Sequence, residues 1–412
     1  MDEGRGAADQ LKPAPLVGLG VLLALAAALL FRFHSAEGLF IALDPGSAAG
    51  PCRAPDGSTL VFCDFANHYY PQGQVLGEVA QPITGFFYPA PFAILMQGFA
   101  LFSYSTALTL WVVLGVLCAL LLYGLPLLKL FDRSKPLAAL YSALFITSLP
   151  VLHNFVWGQV SVPLLALVLA ALVLYPRRSA AALLAVAASV KLYPALGAVQ
   201  LLVRRDFKSL ALFAGVAFTL LLALPLSLLG FEETFGYYRA LEETLSDLGS
   251  GLANPYSNYI ANSVTYLVSG QVNPGSVLFT LMRVLGFALI ALNAAILYLL
   301  PKWKVEHEPF WVASLVFTMI PLAVGTCWIH YFAYLPLVQT FALMLVLQRP
   351  SRALGLTLII PSMVLSNLGF FLAFANPGAF YLGHFPFWSS LLVLLVLYQQ
   401  AYLRQSVSSS SR

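Results

Sequence analysis

Residues 177–205 read RRSAAALLAVAASVKLYPALGAVQLLVRR, and this stretch decides the fold. The apolar run 179–203 is long enough to cross a bilayer once. Basic pairs flank it on both sides, Arg177-Arg178 and Arg204-Arg205, and cytoplasmic loops are enriched in Lys and Arg. One crossing would put one of those pairs on the wrong side. At the middle lies Lys191-Leu192-Tyr193-Pro194, and proline removes a backbone donor and breaks a helix. The run therefore reads as a broken, re-entrant pair that rises from the cytoplasmic side and returns, with Lys191 near its tip. Buried non-helical backbone is tolerated at that depth where it lines a cavity. The run 88–104 poses the same problem from the outer side: it is short and opens with Tyr88-Pro89-Ala90-Pro91. A re-entrant helix there restores the parity of everything downstream. The competing reading is plain crossings with one basic pair misplaced.

Composition supports a membrane solvent. Of 412 residues, 60% are hydrophobic and 9% charged, against roughly 25% charged in a soluble domain. So few charges cannot cover a water-soluble surface of this size, and they exclude disordered, collagen-like and nucleic-acid-binding chains. The net charge of +4, from 21 Lys+Arg and 17 Asp+Glu, is too small for a basic groove. Apolar runs near 15–33, 88–104, 106–127, 136–150, 160–175, 179–203, 207–229, 276–300, 309–324, 330–347, 352–373 and 387–403 give an all-α polytopic membrane protein. The expectation is about ten full spans plus the two re-entrant pieces, 10–12 transmembrane helices in all. The run 15–33 reads as a retained helix, since no small-residue cleavage site follows it. One integral membrane domain then covers 1–404, with outer loops at 34–87 and 230–275. Residues 405–412 read as a disordered cytoplasmic tail.

Most Lys and Arg residues fall in short loops or at the termini, which places both termini in the cytoplasm. The outer segments hold Arg32, Arg53 and Arg239 against many acids, among them Asp64, Glu78, Glu232, Glu233, Glu242 and Glu243. Lys191 and Arg283 are left inside apolar runs. A cation at membrane depth costs at least ~2.5 kcal/mol, and no acid within an apolar run pairs with either. A bound anion is the attractive partner, and a lipid phosphate is the natural one. Arg283 can instead snorkel to the outer headgroups.

The other polar clusters also fall on the outer side. Cys63-Asp64-Phe65-Ala66-Asn67-His68-Tyr69-Tyr70 precedes Phe86-Phe87-Tyr88-Pro89. If 64–79 is a helix, Asp64 and His68 share a face at i,i+4. Asp64 can be a general base for a hydroxyl or a helix N-cap, and the roles can coexist. In His153-Asn154-Phe155-Val156-Trp157-Gly158-Gln159, Trp157 suits an interfacial aromatic belt. Gln159, at the mouth of a helix, can hydrogen-bond a sugar. Trp328-Ile329-His330 lies near a helix end, where His330 reads equally as a structural group or as part of the cationic set. Asn254–Ser263 is rich in Asn and Tyr, which suit carbohydrate contacts and equally an ordered loop. Four cysteines give no zinc spacing. Cys52 and Cys63 share a polar loop; in an oxidising compartment they can pair, and otherwise they remain two thiols. No P-loop, dinucleotide fingerprint, zinc-protease or nucleophile-elbow motif occurs.

Taken in order, several motifs resemble glycosyltransferase family 87 of the GT-C superfamily. They are Asp64 before its aromatics, Tyr88-Pro89-x-Pro91, Trp111, Gly158-Gln159, Lys191-x-x-Pro194 with Arg204-Arg205, Asn262-Ser263 and Trp328-x-His330. The likeness runs over roughly residues 60–340 and each motif is short. The family includes polyprenol-phosphate-mannose-dependent α-mannosyltransferases. The resemblance implies a GT-C-type fold with the active site in its outer loops, in a bacterial plasma membrane and facing the extracytoplasmic side. It implies a polyprenyl-phosphate sugar donor, mannose first among the sugars, and a glycan, glycolipid or protein acceptor. Asp64 would be the base of an inverting transfer; Lys191, Arg283 and His330 would hold the donor phosphate. His68, Tyr69, Tyr88, Gln159, Asn262 and Trp328 would contact the substrates. No cofactor is implied beyond the lipid-linked donor, and no metal, because the acid that some transferases carry beside the base is absent. The Pro/Gly-rich stretch from Asp44 to Cys63 looks like an insertion, and Asp44 and Asp56 in it compete for the base assignment. A transporter or flippase is the alternative, with sites near the midplane between repeated halves, though no repeat is evident. A non-catalytic assembly subunit is the third reading.

Overall fold

The computed structural model describes residues 62–247, 254–349, 352–375 and 382–410, and every regular element among them is helical. The run 15–33, Asp44, Asp56, Cys52 and most of the 34–87 loop lie outside the described residues. Five helices are long and apolar enough to cross a membrane: Tyr104–Lys129, Phe207–Leu229, Val277–Trp303, Ile329–Leu347 and Phe385–Gln405. Lys135–Ile146 and Leu149–Trp157, bent by 40°, count as a sixth if they form one span.

The described residues thus hold fewer full crossings than the ten expected, because many of the apolar runs are broken or short. Ser161–Leu174 has 14 residues and Ala90–Ala100 has 11. An 11-residue helix is about 16 Å long, roughly half the hydrocarbon thickness. Proline stands in the first turn of Ala90–Ala100, Leu149–Trp157 and Ile320–Ala323, where its missing N–H costs nothing and the preceding helix has already ended.

The stretch 177–205 doubles back as the charge argument required. The helix Arg178–Val190 stops at Lys191, whose backbone is extended, and a 3₁₀ turn covers Tyr193–Ala198. A Cβ on Gly197 would lie 2.7 Å from Leu184 Cδ2. A continuous helix would hold those two residues about 20 Å apart, so the chain reverses between them, at Lys191. At the other end, the Arg204 guanidinium lies 5.4 Å from the centre of the Tyr175 ring and pairs with Glu308. Both basic pairs therefore sit at one end of the hairpin.

Lipid-facing and central helices are distinct. Phe207–Leu229 and Tyr104–Lys129 leave most of their apolar side chains uncovered, whereas Ile329–Leu347 is almost wholly buried. Polar groups inside the bundle find partners across helices. Gln339 Nε2 lies 3.0, 3.0 and 2.9 Å from the hydroxyls of Ser362, Ser366 and Ser389. Asn293 donates to Leu315 O at 3.0 Å and accepts from Tyr398 at 2.8 Å. Such bonds join helices where apolar contact gives no preference over lipid.

Two loop expectations change. The 230–275 segment contains two helices, Phe231–Asp247 and Ile260–Ser269. The last helix, Phe385–Ser410, extends into the 405–412 segment that reads as a disordered tail.

The short helix Tyr70–Val75 packs against Ala90–Ala100 through a glycine. A Cβ on Gly73 would lie 2.2 Å from the carbonyl oxygen of Met96. Gly73→Ala must push these two helices apart, at a cost of about 1–3 kcal/mol. A lower unfolding temperature in detergent is the expected reading. Activity should fall with it, since the two helices follow Tyr69 and Tyr88.

Candidate active site

The chain around Asp64 is wound in an unusual register. Phe65–Tyr69 is a π-helix, with Tyr70 N–H bonding to Phe65 O. In this wider winding the fifth residue returns to the same side. Tyr69, at i+5, joins Asp64, and His68 turns away, contrary to the i,i+4 expectation. His68 Nδ1 instead donates to Thr84 O at 3.1 Å. Its ring fills the space beside Gly85 (φ +86°), where a Cβ would come within 2.3 Å of it. His68 therefore holds the loop ahead of Tyr88. Burial lowers its pKa, against the opposing hydrogen bond to Thr84.

Gly158-Gln159 reaches Asp64 from another part of the chain. Gly158 ends the helix Leu149–Trp157 in the left-handed region, φ +66°, which glycine adopts without strain. A Cβ there would stand 3.0 Å from Phe62 Cβ. Trp111 Nε1 donates to Gly158 O at 3.0 Å. Phe62 N donates to Val156 O at 2.9 Å, which brings the Asp64 segment alongside. The turn aims Gln159 so that its Nε2 donates to Asp64 Oδ2. Gln159 Oε1 lies 3.2 Å from both the Tyr69 and the Tyr88 hydroxyl, and those hydroxyls are 2.6 Å from each other.

Lys191 arrives from the tip of the hairpin. Its Nζ lies 4.9 Å from the centre of the Tyr88 ring and 4.5 Å from that of Tyr331. Electrostatic attraction also links it to Asp64. Among the described residues the only ion pair is Arg204–Glu308, so no carboxylate stands within ion-pairing distance of Lys191. Burial raises the Asp64 carboxyl to about 7, while Lys191 and the Gln159 hydrogen bond pull it down. One face of the cluster is thus a carboxyl that titrates near neutrality, and the other the Lys191 amine held between two aromatic rings.

His330 lies beside the cation. It is 2% exposed, stacks on His153 at 5.5 Å and meets the Tyr331 ring at 4.9 Å. It is coupled electrostatically to Lys191. Neither of its ring nitrogens has a hydrogen-bond partner among the described residues. Buried, unbonded nitrogens next to a lysine suit an anionic ligand.

The remaining candidates lie apart. Arg283 is exposed near the start of Val277–Trp303, and Tyr259 hydrogen-bonds to it. No described contact joins it to Lys191. Asn262 is buried and donates to Asn254 O at 2.9 Å. Trp328 is half-buried and precedes the 3₁₀ turn Ile329–Phe332. A backbone tie connects these regions: Asn258 N donates to Cys327 O at 2.7 Å, and Ser257 Oγ to Gly325 O at 2.7 Å. Cys63 is disulfide-bonded, while Cys118 and Cys327 are free. Cys52, its expected partner, lies outside the described residues. No three His, Cys, Asp or Glu side chains among the described residues form a metal-ligating group.

Sequence reasoning passed over Tyr331, which forms part of the cage, and gave His153 no role. The Trp328-x-His330 motif flanked the first. Nothing in the sequence placed His153 against His330, because 177 positions of chain separate them.

The family model for glycosyltransferase family 87 matches residues 86–325, more than half of the chain. The match includes Tyr88, Gln159, Lys191, Asn262 and Arg283; Asp64, Trp328 and His330 lie beyond its ends. No curated protein and no solved structure matches the chain.

Proposed function

Because the chain belongs to glycosyltransferase family 87, we propose that this membrane glycosyltransferase takes its sugar from a polyprenyl phosphate and passes it, with inversion, to an acceptor hydroxyl. The meeting of Asp64 and Lys191 in one cluster, bridged by Gln159 and Tyr88, is the observation that carries the reading. Membership of an enzyme family displaces the transporter and assembly-subunit readings.

In this mechanism Asp64 takes the proton of the acceptor hydroxyl as its oxygen bonds to the anomeric carbon. The bond from that carbon to the lipid phosphate breaks on the opposite face. The electron pair leaves with the phosphate, and a β-linked donor gives an α-product. Charge spreads over a transition state like the oxocarbenium species of glycoside hydrolysis. Lys191, with His330 beside it, stabilises the departing phosphate, an interaction strongest where water is excluded. Arg283, at the outer end of its helix, is placed to meet the lipid headgroup rather than the reacting bond. Asn262, which is buried, and Trp328, which is half-buried, are the further candidates for sugar or acceptor contacts. The lipid-linked sugar is already activated, so no cofactor is required. The donor sugar is mannose in this reading.

The site opens extracytoplasmically. Trp111, which contacts Gly158, lies near the Tyr104 end of a span whose other end carries Lys129. Basic ends mark the cytoplasm, so the cluster falls on the far side. A bacterial plasma membrane suits this arrangement.

Transfer assays with short-chain polyprenyl-phosphate sugars, mannose, glucose and arabinose among them, test the function. Product with the mannose donor supports the reading, and covalently unchanged donor in every case sinks it. The base also sets the pH dependence. Asp64 accepts a proton only when ionised, so kcat/KM should rise as the pH passes through about 7 from below. A profile flat from pH 5 to pH 9 would contradict the assignment.

A further inference from the structure

We propose that Tyr88 is a positioning residue that couples the phosphate-binding cation to the base; this rests on the transfer reaction above. The face of its ring carries Lys191 Nζ at 4.9 Å. Its hydroxyl, at the far edge of the same ring, lies 3.2 Å from Gln159 Oε1, and Gln159 holds Asp64 through its other amide atom. One rigid side chain thus spans the interval between the group that receives the leaving phosphate and the group that takes the acceptor proton.

The ring itself is fixed. It is 4% exposed and packed by Tyr69 at 5.3 Å, Phe86 at 5.2 Å and Phe92 at 4.7 Å. Its backbone oxygen accepts from Tyr237 at 2.9 Å. Pro89 follows it and caps the helix Ala90–Ala100. Tyr88 has no room to meet a sugar, and its hydroxyl is already engaged. Tyr69 and Tyr88 bring two hydroxyl protons to three contacts; the 2.6 Å contact takes one of them, in either direction, and the other is donated to Gln159 Oε1. In each case Oε1 faces the tyrosines and the amide N–H faces Asp64. An inverted amide would set Oε1 against the carboxylate and lose the bond to Asp64.

The coupling has a kinetic signature. Tyr88→Phe keeps the ring face and removes the hydroxyl. It should leave the donor KM near the wild-type value and lower kcat about 10- to 100-fold. It should also move the acidic limb of the pH profile upward, since Gln159 becomes a poorer donor to ionised Asp64. Tyr88→Leu removes the face as well and should add a rise of about 3- to 30-fold in donor KM. Gln159→Ala cuts the same chain, so Tyr88→Phe should add little to it in the double variant.

The experiment is steady-state transfer from polyprenyl-phosphate mannose by wild type, Y88F, Y88L, Q159A and the Y88F/Q159A pair. Y88F and the pair decide the matter even if Y88L does not fold. Unchanged kcat and pH limb in Y88F, or losses that multiply in the pair, overturn the coupling and leave the transferase reading standing. A wild type inert with every donor overturns both.

Discussion

Asp64→Asn should lower the turnover of sugar transfer about 10²- to 10⁴-fold, the usual contribution of a positioned base. Asparagine has nearly the same shape, and its oxygen can still accept from Gln159 Nε2. The π-helix, the aromatic packing and membrane insertion should therefore survive. Stability offers an independent check. The Asp64 carboxyl is raised from 3.8 to about 7 in the folded protein, so its stabilising contribution is complete below about 4 and is lost as pH rises through 7. At pH 8 the ionised carboxylate is held where burial disfavours it. The neutral amide carries no such penalty, so the variant should unfold at an equal or higher temperature than wild type at that pH. Loss of turnover together with a lower unfolding temperature would mark structural damage instead.

Lys191→Met should lower kcat/KM about 10²- to 10³-fold, the range for removing one group that stabilises a developing oxyanion. Methionine fills much of the same volume between the Tyr88 and Tyr331 rings without the charge. The variant has a second signature, in the pH profile. Lys191 is the leading influence that lowers the Asp64 pKa against burial. Without it the acidic limb should move to higher pH, so the deficit narrows as pH increases. A uniform loss at every pH would mean that Lys191 does not sense Asp64.

Much of this was legible along the chain because charge and proline are local signals. The two basic pairs and Pro194 revealed the reversal at Lys191, and Gly197 against Leu184 bears it out. The Tyr88-Pro89-Ala90-Pro91 opening marked a helix too short to cross. The number of full spans was not legible, since hydropathy reports apolar length and not whether the helix is continuous. The i,i+4 pairing of Asp64 with His68 assumed an α-helix. The π-helix that selects Tyr69 instead has no sequence signature and depends on packing against Phe92 and Trp111. Arg283 looked equivalent to Lys191, for both are cations in apolar runs. Position separates them: Arg283 stands exposed near the start of its helix, Lys191 at the tip of a hairpin and against the Tyr88 and Tyr331 rings. Gln159 was read as a sugar ligand because a lone amide at a helix mouth does not show which carboxylate the fold will bring to it.

The central claim divides labour between a base and a cation, and binding separates them without chemistry. Equilibrium binding of polyprenyl phosphate, the leaving group, should be measured for wild type, D64N and K191M in lipid nanodiscs. D64N should bind it as well as wild type or more tightly, because a negative charge near the phosphate is gone. K191M should bind it at least about 10-fold more weakly, as expected for a lost charge-assisted contact. Binding by K191M equal to wild type, or a loss in D64N as large as that in K191M, would contradict the account.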